Sequence, residues 1–207
     1  MTRAAPISPA TWTALAAGIF YCSWPLGPVL NPAGAARGLA SELGHADQPF
    51  NWVFNGADIV CGILMLVAMS MMVRAAPNGR RLPRAVLANL AVFAVGTIAA
   101  AARPGGPMHL VASVISSLCL VLSLLLVWWV LRRDRWLTIL VVLTLAFGAV
   151  TLYELPGHDR GNWGQHYLIL LNGVWLAAVP GCWQRLADAA GVRRAGQPRR
   201  YPTRRSR

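Results

Sequence analysis

Residues 110–131 read LVASVISSLCLVLSLLLVWWVL, and Arg132, Arg133, Asp134 and Arg135 follow at once. A run of this length without a charge is long enough to cross the hydrocarbon core of a bilayer, about 20 residues at 1.5 Å each. A four-residue basic link and a second apolar run, 136–153, turn that single span into a transmembrane hairpin. Working outward from it, further apolar runs lie near 10–31, 53–73, 85–102 and 166–184. The expected fold is therefore all-α, a polytopic membrane protein with six transmembrane helices in one bundle over residues 1–190. Residues 191–207 are expected as a basic, disordered cytoplasmic tail. Composition agrees: 56% of the 207 residues are apolar and only 13% are charged, far from an ordinary soluble chain.

The basic residues give the bundle a direction. All 19 are arginine, and 16 lie before the first run, in the second and fourth links, or after the last run. Only Arg37, Arg103 and Arg160 fall in the other three links. Short cytoplasmic links collect basic residues, so both termini are expected in the cytoplasm. Tryptophan supports the same topology, with Trp12, Trp128, Trp129, Trp136 and Trp183 near the inner interface and Trp52 and Trp163 near the outer one. A net charge of +12 would suggest nucleic acid in a soluble chain. Here it follows from the positive-inside pattern and the tail, so no nucleic-acid partner is expected. The tail arginines Arg193, Arg194, Arg199, Arg200, Arg204, Arg205 and Arg207 are placed to contact anionic lipid headgroups of the bilayer. Use of arginine to the exclusion of lysine points to a GC-rich bacterial genome, and so to a bacterial cytoplasmic (inner) membrane.

The first run has a poor signal-peptide cleavage site, so it is read as an uncleaved helix. Pro25 and Pro28 should kink or break its outer half. Cys22, Cys61, Cys119 and Cys182 all fall inside spans and show no metal-binding spacing, which reads as packing. The two halves of the chain share no convincing repeat, which weakens a transporter reading.

Chemistry concentrates at one end. His45, His109, His158 and His166 lie on the outer side with Glu42, Asp47, Glu154 and Asp159, and Asp58 stands in the outer third of the second span. Asn51, Asn55, Asp58 and Gly62 follow one helical stripe. A carboxylate inside a span is costly and must face other helices, protonated or paired, for example with Arg103. Ser113, Ser116, Ser117 and Ser123 line the fourth span below His109, at a spacing that suits close helix approach. The pocket candidates are Glu42, Asp58, His109, His166, Arg103 and Asn55. No confident metal site is read; zinc, if bound at all, would take His109, His166 and Asp58, and no H-x-x-x-H pair supports it.

At Tyr21-Cys22-Ser23-Trp24 and at Ser41-Glu42-Leu43-Gly44-His45-Ala46-Asp47-Gln48-Pro49-Phe50, running on through Phe54, Asp58 and Gly62, the chain resembles a known family. It looks like the bacterial membrane proteins catalogued as domain of unknown function 998. Arg103, Pro104 and His109 match that family's passage into the fourth helix, and Gly181 and Arg185 its pattern near the last helix end. Where the family often has an acidic residue between Pro and His, this chain has Gly105-Gly106. The resemblance implies membership and architecture, and no activity. A more distant likeness, by analogy only, is to the seven-helix zinc hydrolases that include alkaline ceramidases.

Three functions fit the sequence. The first is a non-enzymatic protein that binds or moves a small molecule, lipid or proton through an outward-facing polar pocket centred on Asp58. The second is an intramembrane zinc hydrolase of a lipid ester or amide, with Glu42 as general base. The third is a structural or assembly subunit.

Overall fold

The computed structural model describes residues 7–37, 40–75, 81–154 and 163–189. Among them the helices run α1 (Pro9–Tyr21), α2 (Gly27–Leu30), α3 (Pro32–Arg37), α4 (Asn51–Ala75), α5 (Arg81–Ala102), α6 (Gly106–Val130), α7 (Arg135–Glu154) and α8 (Trp163–Ala189). Single 3-10 turns occupy Trp24–Leu26 and Ala40–Gly44. No strand occurs among the described residues. The inner link 76–80, the outer link 155–162 with His158, Asp159 and Arg160, and the tail with its seven arginines lie outside them.

Helices α4 to α8 are each long and apolar enough to span a membrane, and α1 with the segment Trp24–Leu30 makes a sixth, broken span bent by 41°. The protein is an all-α polytopic membrane protein. The break falls where the two prolines predict it. Cys22 closes α1 through its N–H to Gly18 and Ile19, and Pro25 and Pro28 then sit at the first positions of the two short helical pieces that follow. A proline is tolerated there because the donor it lacks would be unpaired anyway.

Helix α8 is the axis of the bundle. It touches α1, α4, α5, α6 and α7, while α1 packs on α4, α4 on α5 and α5 on α6. Small residues set these crossings. A Cβ at Gly18 would stand 2.5 Å from the Gly173 carbonyl oxygen of α8, and one at Gly62 would stand 2.6 Å from the Ala94 carbonyl of α5. Gly96 abuts the Ser116 hydroxyl of α6, which is the role the serine spacing suggested. Without water to drive association, such close backbone approach is what holds spans together. Ser123, fully buried on α6, accepts a hydrogen bond from the buried Trp175 indole of α8 at 2.8 Å.

The tryptophans divide between the two ends of the bundle, some exposed and some turned inward. Trp12, Trp129 and Trp136 are exposed at the arginine-rich end, and Trp52 and Trp163 at the other. Trp183, two residues before Arg185 at the same arginine-rich end, is 5% exposed and packs between helices. Trp128 turns to Thr138, donating to its hydroxyl at 3.0 Å. Helical phase decides the pair on α6: Trp128 and Trp129 stand about 100° apart around the helix, so one turns to α7 while the other is exposed. At the same end Asp134 caps α7, accepting from the Trp136 and Leu137 amides, and it forms an ion pair with Arg185 of α8.

Candidate functional site

The long link between the first two spans folds down on the start of α4. Asn31, buried, donates from Nδ2 to Gln48 Oε1 at 2.7 Å, and its side-chain Oδ1 accepts from the Gly34 amide. Asn51 Nδ2 donates to the His45 carbonyl at 3.0 Å, and Asn55 Nδ2 to the Gly44 carbonyl at 2.7 Å. Gly44 must be glycine for this contact, since a Cβ there would meet Asn55 Oδ1 at 2.5 Å. The upper half of the predicted polar stripe therefore pins a loop. Phe50 enters α4 with φ of 58°, a strained conformation for an aromatic residue. Glu42 stands half-buried in the 3-10 turn of the same loop.

His109 belongs to a neighbouring junction. Its Nδ1 lies 2.9 Å from the Ala100 carbonyl oxygen. A carbonyl can only accept, so Nδ1 carries the proton. Ala100 lies in the last turn of α5, whose carbonyls have no helical partner, so His109 caps that end from the first turn of α6. The tight link between them runs through Gly105 and Gly106 at φ of 85° and 77°, a conformation that favours glycine over an acidic residue. The His109 ring also meets His45 edge-on, centroids 5.8 Å apart. Arg103 is exposed and pairs with no described carboxylate; the ion pair found among the described residues is the one at the opposite end.

His166, near the start of α8, is 8% exposed. Its ring packs edge-on against Trp24 at 4.5 Å and lies 6.1 Å from Trp163. Glu154, ending α7, accepts from the Gly164 amide at 2.9 Å and so caps the start of α8. The predicted candidates are thus distributed over two junctions, and His109 and His166 have different neighbours. Among the described residues no three His, Cys, Asp or Glu side chains gather as a metal-ligand group.

Asp58 is different. It lies seven residues into α4, about 10 Å below the helix start, and no described residue forms a hydrogen bond or ion pair with it. It is within electrostatic range of the Tyr21 phenol and the Cys61 thiol. The Asn172 amide of α8 stands beside the same phenol, whose ring is held edge-on by Phe93 at 5.3 Å. Asn172 is 2% exposed, and its Oδ1 has no hydrogen-bond partner among the described residues. The Trp24 indole nitrogen, one turn beyond Tyr21, is likewise buried without a partner. Tyr21, Asp58 and Asn172 come from three different spans, and Tyr21, where the first span breaks, has Asn172 beside it and Asp58 within electrostatic range. Irregular backbone at membrane depth is tolerated where it is buried in protein or lines a cavity. Tyr21 and Asn172 escaped the reading of the sequence, although Asn172 is a lone amide in an otherwise apolar stretch of α8 and offered a signal.

Fold and site together define a multi-pass helical membrane protein with half-buried Tyr21 and Asp58 and a buried Asn172 on three of its spans. The model of the family described as protein of unknown function (DUF998) matches residues 14–187, and the chain belongs to that family. Comparison with curated proteins and with solved structures gave no match.

Proposed function

We propose that this protein binds a small molecule, or passes a proton or small ligand, at a polar pocket open to the outer side of a bacterial cytoplasmic membrane, with Asp58 as its protonatable centre. The observation that carries this reading is the group Tyr21, Asp58 and Asn172 at the break of the first span, with a buried Asn172 oxygen left without a partner. A buried polar atom without a partner costs about 1–3 kcal/mol, and a bound ligand or water would offset that cost. Glu42 lies in the loop over this site and Asn55 holds that loop, while His109 and His166 stand at separate junctions of the same end. The tail arginines dock on anionic headgroups and anchor the inner side.

The test is accessibility. With the four cysteines replaced by alanine and Asp58→Cys introduced, a membrane-impermeant cationic methanethiosulfonate added to the outer side of intact cells should label the new thiol. Trp52→Cys, exposed on the same helix, is the positive control. No labelling at position 58 beside full labelling at position 52 would refute an open pocket and leave the polar group a packing device.

A further inference from the structure

We infer that the tip of the α6–α7 hairpin binds an anionic phospholipid, with the Arg132 guanidinium as the seat of its phosphate. The site lies at the opposite end of the bundle from the pocket proposed above, and it uses none of the tail arginines.

Three arginines crowd this tip, and the carboxylate among them is already engaged. Arg132, Arg133 and Arg135 are all exposed, and none forms an ion pair with a described residue. Asp134, the acid of the link, gives one oxygen to the Trp136 and Leu137 amides and the other to Arg185 of α8. Its charge is directed into the protein, and the three guanidiniums must find their anion outside it. A guanidinium presents five donors in a fixed fork that matches the oxygens of a phosphate.

Arg132 is the one held in place. Its Cζ lies over the Trp129 ring, 5.9 Å from the centroid, within reach of a cation–π contact. Such a contact restrains the long side chain and uses none of its donors in a hydrogen bond, so the fork stays available for two parallel bonds to a phosphate. Trp129 is exposed at the next-to-last position of α6, and Trp136 is exposed at the second position of α7. Exposed indoles at the ends of spans lie at the headgroup level of a bilayer, which sets Arg132 at the depth of the phosphates. Toward the middle of the spans, Leu118 and Leu122 continue the Trp129 stripe of α6, and Ile139 and Leu143 continue that of Trp136 on α7; all four are exposed. A soluble anion would engage the arginines alone, whereas a phospholipid engages the arginines, the indoles and the apolar stripes together. A headgroup without an ammonium of its own keeps the full phosphate charge for the guanidiniums.

The probes are dioleoylphosphatidylglycerol and dioleoylphosphatidylcholine, titrated into the full-length protein in detergent and counted by native mass spectrometry. The seven tail arginines are changed to glutamine in every sample, so that the tail does not hold the lipid that is counted. The first phosphatidylglycerol should bind at least about fivefold more tightly than the first phosphatidylcholine, the factor that one arginine beside an anionic headgroup supplies. Arg132→Gln should remove most of that preference. Arg132→Lys keeps the charge and loses the fork, and Trp129→Leu keeps the arginine and loses the ring that restrains it; each should cut the preference at least about twofold. Arg84→Gln, at an exposed arginine of α5 on the same end, should leave it unchanged. Equal binding of the two lipids, an equal loss in Arg84→Gln and Arg132→Gln, or full retention in both Arg132→Lys and Trp129→Leu would overturn the site and leave only the general attraction of a basic surface. The exchanged side chains are all exposed, and Arg132→Lys, the most conservative of the changes, carries the test if another variant does not fold.

Discussion

Replacing Gly18 by alanine tests the central packing claim, that α1 and α8 are joined through their backbones. The added Cβ would stand 2.5 Å from the Gly173 carbonyl oxygen, about 0.9 Å inside the 3.4 Å at which ordinary contact begins. That neighbour is the backbone of a helix with partners on every side, so it cannot rotate away as a side chain would. The crossing must open or bend, at a cost of about 1–3 kcal/mol for overpacking a filled core. Alanine otherwise gains roughly 0.8–1 kcal/mol over glycine inside a helix, so the net loss against the parent is about 0–2 kcal/mol, and the loss against alanine controls that meet no clash is about 1–3 kcal/mol. Gly56→Ala and Gly148→Ala are the controls, since nothing lies within 4 Å of a Cβ at either position. Reversible unfolding in mixed micelles, followed by tryptophan fluorescence, should show Gly18→Ala less stable than both controls, and the controls equal to the parent or better. A Gly18→Ala protein as stable as its controls would refute the close crossing, and with it the placement of Tyr21 and Asn172 side by side.

Other contacts lead to further expectations. Asp134→Ala removes both the α7 cap and the pairing with Arg185, and should cost about 1–2 kcal/mol. Arg185→Ala should cost under about 1 kcal/mol because that side chain is 59% exposed; the same unfolding assay compares them. Ser123→Ala leaves the Trp175 indole N–H without its acceptor and should cost about 0.6–1.7 kcal/mol, the range measured for hydrogen bonds between spans, while Ser123→Ala combined with Trp175→Phe should recover part of that loss. Asn55→Ala frees the Gly44 carbonyl and should speed amide hydrogen exchange in residues 40–50 with little change in α5 or α6, as read by mass spectrometry. Changing the seven tail arginines to glutamine should expose the tail to protease equally in anionic and neutral nanodiscs, where the parent tail should be protected in the anionic ones.

The spans were legible in the sequence because membrane solvation acts on one helix at a time. Apolar length, the basic links and the paired prolines of the first span each report a local cost, so α4 to α8 and the break after Tyr21 fall within a few residues of where the pattern puts them. Asp58 was legible for the same reason, as a charge inside an apolar run. What the other polar residues do was not. Asn51, Asn55 and His109 carry the same donors and acceptors whether they bind a ligand or fasten a loop, and only the positions of the His45, Gly44 and Ala100 carbonyls show that they fasten. Trp183 is buried, where Trp129 and Trp136 at the same end are exposed, because of how α8 is turned against its neighbours. The placement of Tyr21 beside Asn172 depends on α1 and α8 approaching to backbone contact at Gly18 and Gly173. That approach is a property of two surfaces fitted together, and no single segment of the chain encodes it.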